Sequence, residues 1–195
     1  MNIIKAILAF GMALALSASL VLPATAAVWY NPESNQFEER EATASRGGSP
    51  IKKQIVSYET TQKPGTIIVN TAERRLYLVL EDGQAMKYGI GVGREGFTWA
   101  GTNRITRKAE WPGWTPPPAM RKRVPDLPAF MPGGPDNPLG ARALYIGSTL
   151  YRVHGTSEPW TIGQAVSSGC IRMTNEDVTD LYERVQVGAR IVVTH

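Results

Sequence analysis

Arg75-Leu76-Tyr77-Leu78-Val79-Leu80, Glu81-Asp82-Gly83-Gln84 and Met86-Lys87-Tyr88-Gly89-Ile90-Gly91-Val92 set two β-prone runs around an Asp-Gly pair. Asp-Gly suits the tight turns that join antiparallel strands, so the stretch is predicted to be a hairpin. Working outward, Thr66-Ile67-Ile68-Val69-Asn70 is a short β-branched run on the upstream side. Downstream, strands are expected again at Ala143-Leu144-Tyr145-Ile146 and Leu150-Tyr151-Arg152-Val153-His154. Thr174-Asn175-Glu176-Asp177 fits a variant capping box, in which the Thr174 hydroxyl bonds the Asp177 amide and that carboxylate reaches back. Val178, Leu181, Tyr182 and Val185 then recur at helical spacing, predicting one short amphipathic helix. Gly188 ends it, and Ala189-Arg190-Ile191-Val192-Val193-Thr194 is expected to be a closing strand. The class is mainly β with minor helix.

Between Gly93 and Gly140 the chain is rich in Gly, Pro and Trp, including Trp111-Pro112-Gly113-Trp114-Thr115-Pro116-Pro117-Pro118 and Met131-Pro132-Gly133-Gly134-Pro135. Proline removes backbone donors, so this region is expected to be a long loop, the rim or lid of a site. Trp111 and Trp114 have two readings there, lining of a substrate groove or packing beneath the loop. Trp99 and Trp160 carry no signal of their own.

The N-terminal end reads differently. Lys5, an apolar run from Ala6 through Leu22 and the small residues Ala24-Thr25-Ala26-Ala27 form the pattern of a secretory signal peptide over residues 1–26. Gly11, Ser17, Ser19 and Pro23 interrupt the run, and no positive cluster follows Ala27, which argues against a membrane anchor. Lipidation is excluded because it needs a cysteine at the cleavage site. Residues 27–63 are polar, without apolar periodicity, and are expected to form a linker or flexible arm. Residues 64–195 are the length of one globular domain. The formal net charge is +4, falling by one when Lys5 leaves. Arg121-Lys122-Arg123 is read as a solvated loop in preference to a contact with an anionic polymer, and no nucleic-acid module is apparent.

The chain has one cysteine and two histidines, so no internal disulfide can form. A lone thiol in an oxidising compartment is inert through burial, an intermolecular crosslink, or a reactive group. Cys170 sits in Ser167-Ser168-Gly169-Cys170-Ile171-Arg172-Met173. Small residues before it let a carbonyl approach, and nearby amides are suited to an oxyanion. A thiol needs a base or a positive neighbour to react at neutral pH. His154, in Val153-His154-Gly155-Thr156 and sixteen residues upstream, is the internal candidate. A metal site is disfavoured, because one His and one Cys are too few ligands.

His154-Gly155-Thr156, the spacing, and Ser167-x-Gly169-Cys170-Ile171-Arg172-Met173 together resemble the catalytic signature of the L,D-transpeptidase (YkuD-like) family. Weaker similarity runs through Ile67-Ile68-Val69-Asn70, Gly91-Val92-Gly93, Trp111-Pro112-Gly113-Trp114-Thr115-Pro116-Pro117 and Asn137-Pro138-Leu139-Gly140. The resemblance implies a β-sandwich or barrel-like sheet acting, without cofactor, on the tetrapeptide stems of peptidoglycan in the periplasm. Cys170 would be the nucleophile that expels D-alanine, and His154 the proton carrier. The thioester would pass to an amine of another stem or of an acceptor envelope protein, or to water, which is carboxypeptidase activity. The Gly169 and Cys170 amides are oxyanion candidates. Ser167 would fix the loop or the substrate, and Ser168, Gly155 and Thr156 complete the binding set. Arg172 would hold a substrate carboxylate or orient the loop through a salt bridge. Some relatives have a His where Ser168 stands, and its role does not transfer. The triad's third member is often a backbone carbonyl in the family. A noncatalytic envelope-binding module with a structural Cys170 is the alternative from another class.

Overall fold

The computed structural model describes residues 27–31, 36–40, 49–95 and 99–195, so the signal-peptide reading of residues 1–26 lies outside the described residues. The strands are β1 (Ala27–Asn31), β2 (Gln36–Arg40), β3 (Gln54–Ser57), β4 (Ile67–Asn70), β5 (Arg75–Val79), β6 (Gln84–Gly89) and β7 (Val92–Gly93). They continue as β8 (Gly101–Glu110), β9 (Arg142–Ile146), β10 (Arg152–His154), β11 (Ala165–Ser167), β12 (Ile171–Arg172) and β13 (Arg190–Thr194). Two α-helices stand among the described residues, α1 (Pro118–Arg123) and α2 (Asn175–Arg184).

The predicted hairpin is β5–β6. Asp82 and Gly83 both adopt positive φ, 55° and 66°, and Gln84 N donates to Glu81 O at 3.2 Å, as a mirror-image turn requires. It belongs to a nine-stranded sheet in the order β12-β10-β9-β8-β13-β4-β5-β6-β3. Neighbours are antiparallel except β10/β12 and β4/β13, which are parallel. The sheet curls back on itself: Gly91, just past β6, exchanges 2.8 Å backbone hydrogen bonds with Arg172 of β12, which makes it barrel-like. Ile67, Leu76, Tyr88, Ile105, Leu144, Val153, Ile171 and Ile191 fill the interior. α2 packs across β9 and β10, burying Val178 and Leu181. Its cap is as read: Asp177 N donates to Thr174 Oγ1 at 3.1 Å. The reciprocal half is not completed by Asp177 Oδ2, which is buried without a partner.

Three expectations need correction. Residues 27–63 are not simply a linker or flexible arm: β1 pairs with β2, and β3 joins the edge of the main sheet against β6. β3 eluded pattern reading because an edge strand with one open side has no need of alternating apolar residues. The region from Gly93 to Gly140 is not all loop, since β8 runs ten residues through mid-sheet between β9 and β13. Prolines begin only at Pro112, and β8 buries little beyond Ile105 because its cations serve neighbours. Lys108 Nζ donates to the Val185 carbonyl at 2.8 Å, closing the end of α2, and Arg104 reaches Gly188 O. Finally, α1 lies within the Pro/Gly/Trp-rich loop, so the amphipathic helix is not the only one. Trp114, Val124, Leu127 and Leu139 form a small core beneath that loop, whereas Trp111 is exposed.

Candidate active site

Register places the functional side chains. Val153 faces Ile171 and His154 faces Arg172 across parallel β10 and β12. Val153 and Ile171 point into the core, so the period of two turns Arg152, His154, Cys170 and Arg172 to the opposite face. Cys170 immediately precedes β12, diagonal to His154. The residues read as nucleophile and base are therefore brought together, with Cys170 partly exposed and His154 buried.

The loop carrying Cys170 is held by its own side chains. Ser167 Oγ donates to Cys170 O at 2.6 Å and accepts from Gly169 N at 3.2 Å. Gly169 has φ 104°, a conformation L side chains rarely adopt, so glycine is required there. The Gly169 amide, one of two expected oxyanion donors, is thus engaged by Ser167, and Ser167 fixes the loop. Trp99, silent in the sequence, donates from Nε1 to Gly169 O at 3.1 Å and stacks on Tyr151 with ring centres 5.0 Å apart.

His154 Nδ1 lies 2.6 Å from Gly155 O, so the ring leans on a backbone carbonyl in place of a carboxylate. Burial, reinforced by the Arg172 charge, pushes its pKa down to about 3, against hydrogen bonds to the backbone of Gly155 and Leu139. Burial likewise pushes the Cys170 thiol up, opposed by Arg152 and Arg172. Both shifts favour the uncharged forms, a neutral thiol and a neutral imidazole.

Arg172 is buried and donates to Thr156 Oγ1 at 2.7 Å and to Glu158 Oε2. Of its two readings, the salt bridge is the one present, and Thr156 serves this network. Gly155 has a packing reason: a Cβ there would come within 2.2 Å of Asn175 Oδ1, which also accepts from Ala141 N at 2.9 Å. Ser168 is partly exposed beside the nucleophile. Glu158, Asn175, Trp99 and Arg152 were not singled out from the sequence. Among the described residues no cluster of three potential metal ligands occurs, and no helix is long and apolar enough to cross a membrane.

Residues 64–193 match YkuD, the L,D-transpeptidase catalytic domain. The chain belongs to this family. The probable L,D-transpeptidase ErfK/SrfK of Escherichia coli (strain K12) is 43% identical over 152 residues, which is 73% of this chain and 47% of that protein. The chain spans about half the length of the first curated relatives it matches. A crystal structure of a probable carnitine operon oxidoreductase from Brucella melitensis is 45% identical with a TM-score of 0.51, covering 74% of this chain and 94% of that one. L,D-transpeptidase 3 of Mycobacterium tuberculosis, 18% identical with a TM-score of 0.52 over 67% of this chain and 60% of that one, shares the fold.

Proposed function

We propose that this chain is the catalytic part of an exported L,D-transpeptidase of the bacterial envelope, working through Cys170 and His154. The cysteine sulfur attacks the carbonyl of the third stem residue as its proton passes to the imidazole. The bond to the terminal D-alanine breaks, and the imidazolium returns that proton to the leaving amine. The thioester then meets an acceptor amine, whose attack releases the thiol. The Cys170 amide is the oxyanion donor this reading prefers, since the Gly169 amide is engaged. Domain 64–195 carries the chemistry, and residues 1–26 direct export. Acceptors are other stems or an envelope protein.

The observation that carries this reading is the β10/β12 register, which sets the sole thiol beside a buried neutral imidazole within an L,D-transpeptidase domain. The test is incubation of the protein and its Cys170→Ala variant with a disaccharide-tetrapeptide, reading intact-protein and product masses. A Cys170-dependent acyl-enzyme with dimeric product is expected. Tripeptide alone would shift the assignment to a carboxypeptidase. Full activity in a folded Cys170→Ala variant would end it.

A further inference from the structure

The face that carries Cys170 holds two arginines, and they are not equivalent. Arg172 is committed: its guanidinium is tied to Thr156 and its charge is balanced by Glu158. Arg152 has no carboxylate partner among the described residues, and its Nε is buried with no hydrogen-bond partner. Continuing the β10/β12 register one residue back from the Val153 and Ile171 pair sets Arg152 directly across from Cys170. The Tyr145 ring, 5.4 Å from the guanidinium carbon, steadies the side chain from behind. Arg152 is half-buried with no carboxylate to balance it, and a partly buried, unbalanced cation beside a thiol points to a charge that appears only during reaction.

We infer that Arg152 is a catalytic residue that holds the negative charge on the Cys170 sulfur as the thiol proton leaves for His154. This rests on the reading of Cys170 as nucleophile. In the step, the S–H bond breaks, the proton moves to the imidazole, and Arg152 stays charged and exchanges no proton. The groups facing the sulfur are Arg152 and His154 from β10 and Arg172 from β12. Against the upward push of burial, the Arg152 charge is the strongest opposing influence, followed by its backbone hydrogen bond, the Arg172 charge and the Arg152 side-chain hydrogen bond. Arg152 also adds to the forces that keep His154 uncharged, so one residue favours both the thiolate and a base free to accept.

Iodoacetamide alkylation of the intact protein, followed by mass spectrometry across pH, tests this without any substrate. The single cysteine makes the signal unambiguous. Removing a cation this close should move the midpoint of the rate profile upward by about one to three pH units in Arg152→Met, slowing alkylation near neutral pH at least ~tenfold. Arg152→Lys should stay near wild type. Arg107→Met removes a cation stacked on the same Tyr145 ring, 3.6 Å from its centre, and should leave the profile unmoved. Coincident profiles for Arg152→Met and wild type would overturn the assignment, as would Arg152→Lys falling as far as Arg152→Met. If the Met variant does not fold, the Lys and Gln variants supply the same comparison. Failure of the stem-peptide assay with an intact alkylation difference would count against the proposed donor and not against Arg152.

Discussion

The two halves of the main sheet are stabilised by different forces. Around β4, β5, β6 and β13, the buried residues are almost all apolar: Ile67, Val69, Leu76, Leu78, Tyr88, Ile191 and Val193. Toward β9, β10 and β12, an apolar layer persists beneath, but the outer side buries His154, Thr156, Glu158, Ser167, Arg172 and Thr174. Non-directional apolar burial tolerates small errors of position, whereas a buried polar network works only when every member is satisfied. The first half is a support. The second is a device for holding a few atoms still.

Breaking each half in turn should separate these roles. Glu158→Ala leaves Arg172 buried and unpaired, and should cost about 3–5 kcal/mol in denaturant unfolding with loss of acyl transfer even in the folded fraction. Leu78→Ala in the support should cost about 2–5 kcal/mol, the cavity range, while the folded enzyme keeps its kcat/KM. Equal retention of activity in both variants would erase the distinction drawn above.

A pH experiment sharpens the same contrast. His154 is held near pKa 3, below the ordinary histidine value of about 6.5. The unfolded chain therefore binds a proton first as pH falls, and stability present above pH 6.5 is lost progressively between about 6.5 and about 3. At pH 5 the loss from this residue should be about 2 kcal/mol relative to pH 7.5. Comparing urea midpoints of wild type and His154→Gln at both values isolates it, and parallel losses would show that His154 is not the source. The smallest effect is expected from Trp99→Phe, which keeps the stack on Tyr151 but removes the bond to Gly169 O. A cost of about 1 kcal/mol and a few-fold drop in acylation rate should appear, read by thermal unfolding and single-turnover mass measurements.

The same division governs how much the sequence disclosed. The hairpin at Asp82-Gly83 and the capped start of α2 were legible because each is written in adjacent residues, and His154 and Cys170 were singled out because each stands in a short local motif. β8 was not, since Arg104, Arg107 and Lys108 interrupt any alternation and find their partners on α2, the turn after it and Tyr145. β3 was missed for want of apolar contrast. Glu158, Asn175, Trp99 and Arg152 matter through contacts with segments remote in the chain, and a polar residue in a short stretch gives no hint of where its partner lies. Arg172 was recognised with two possible roles. Only the position of Glu158 distinguished them.

The place of β13 bears on how the molecule comes into being. Val192 lies between Ile68 of β4 and Thr102 of β8, so the middle of the sheet waits for a strand synthesised after both. Until that segment leaves the ribosome, β4 and β8 each present an unpaired edge, and the growing polypeptide has no route to its finished topology. Closure of the sheet must then await β13, and the interval before it is when the nascent chain most needs protection from sticking to its neighbours.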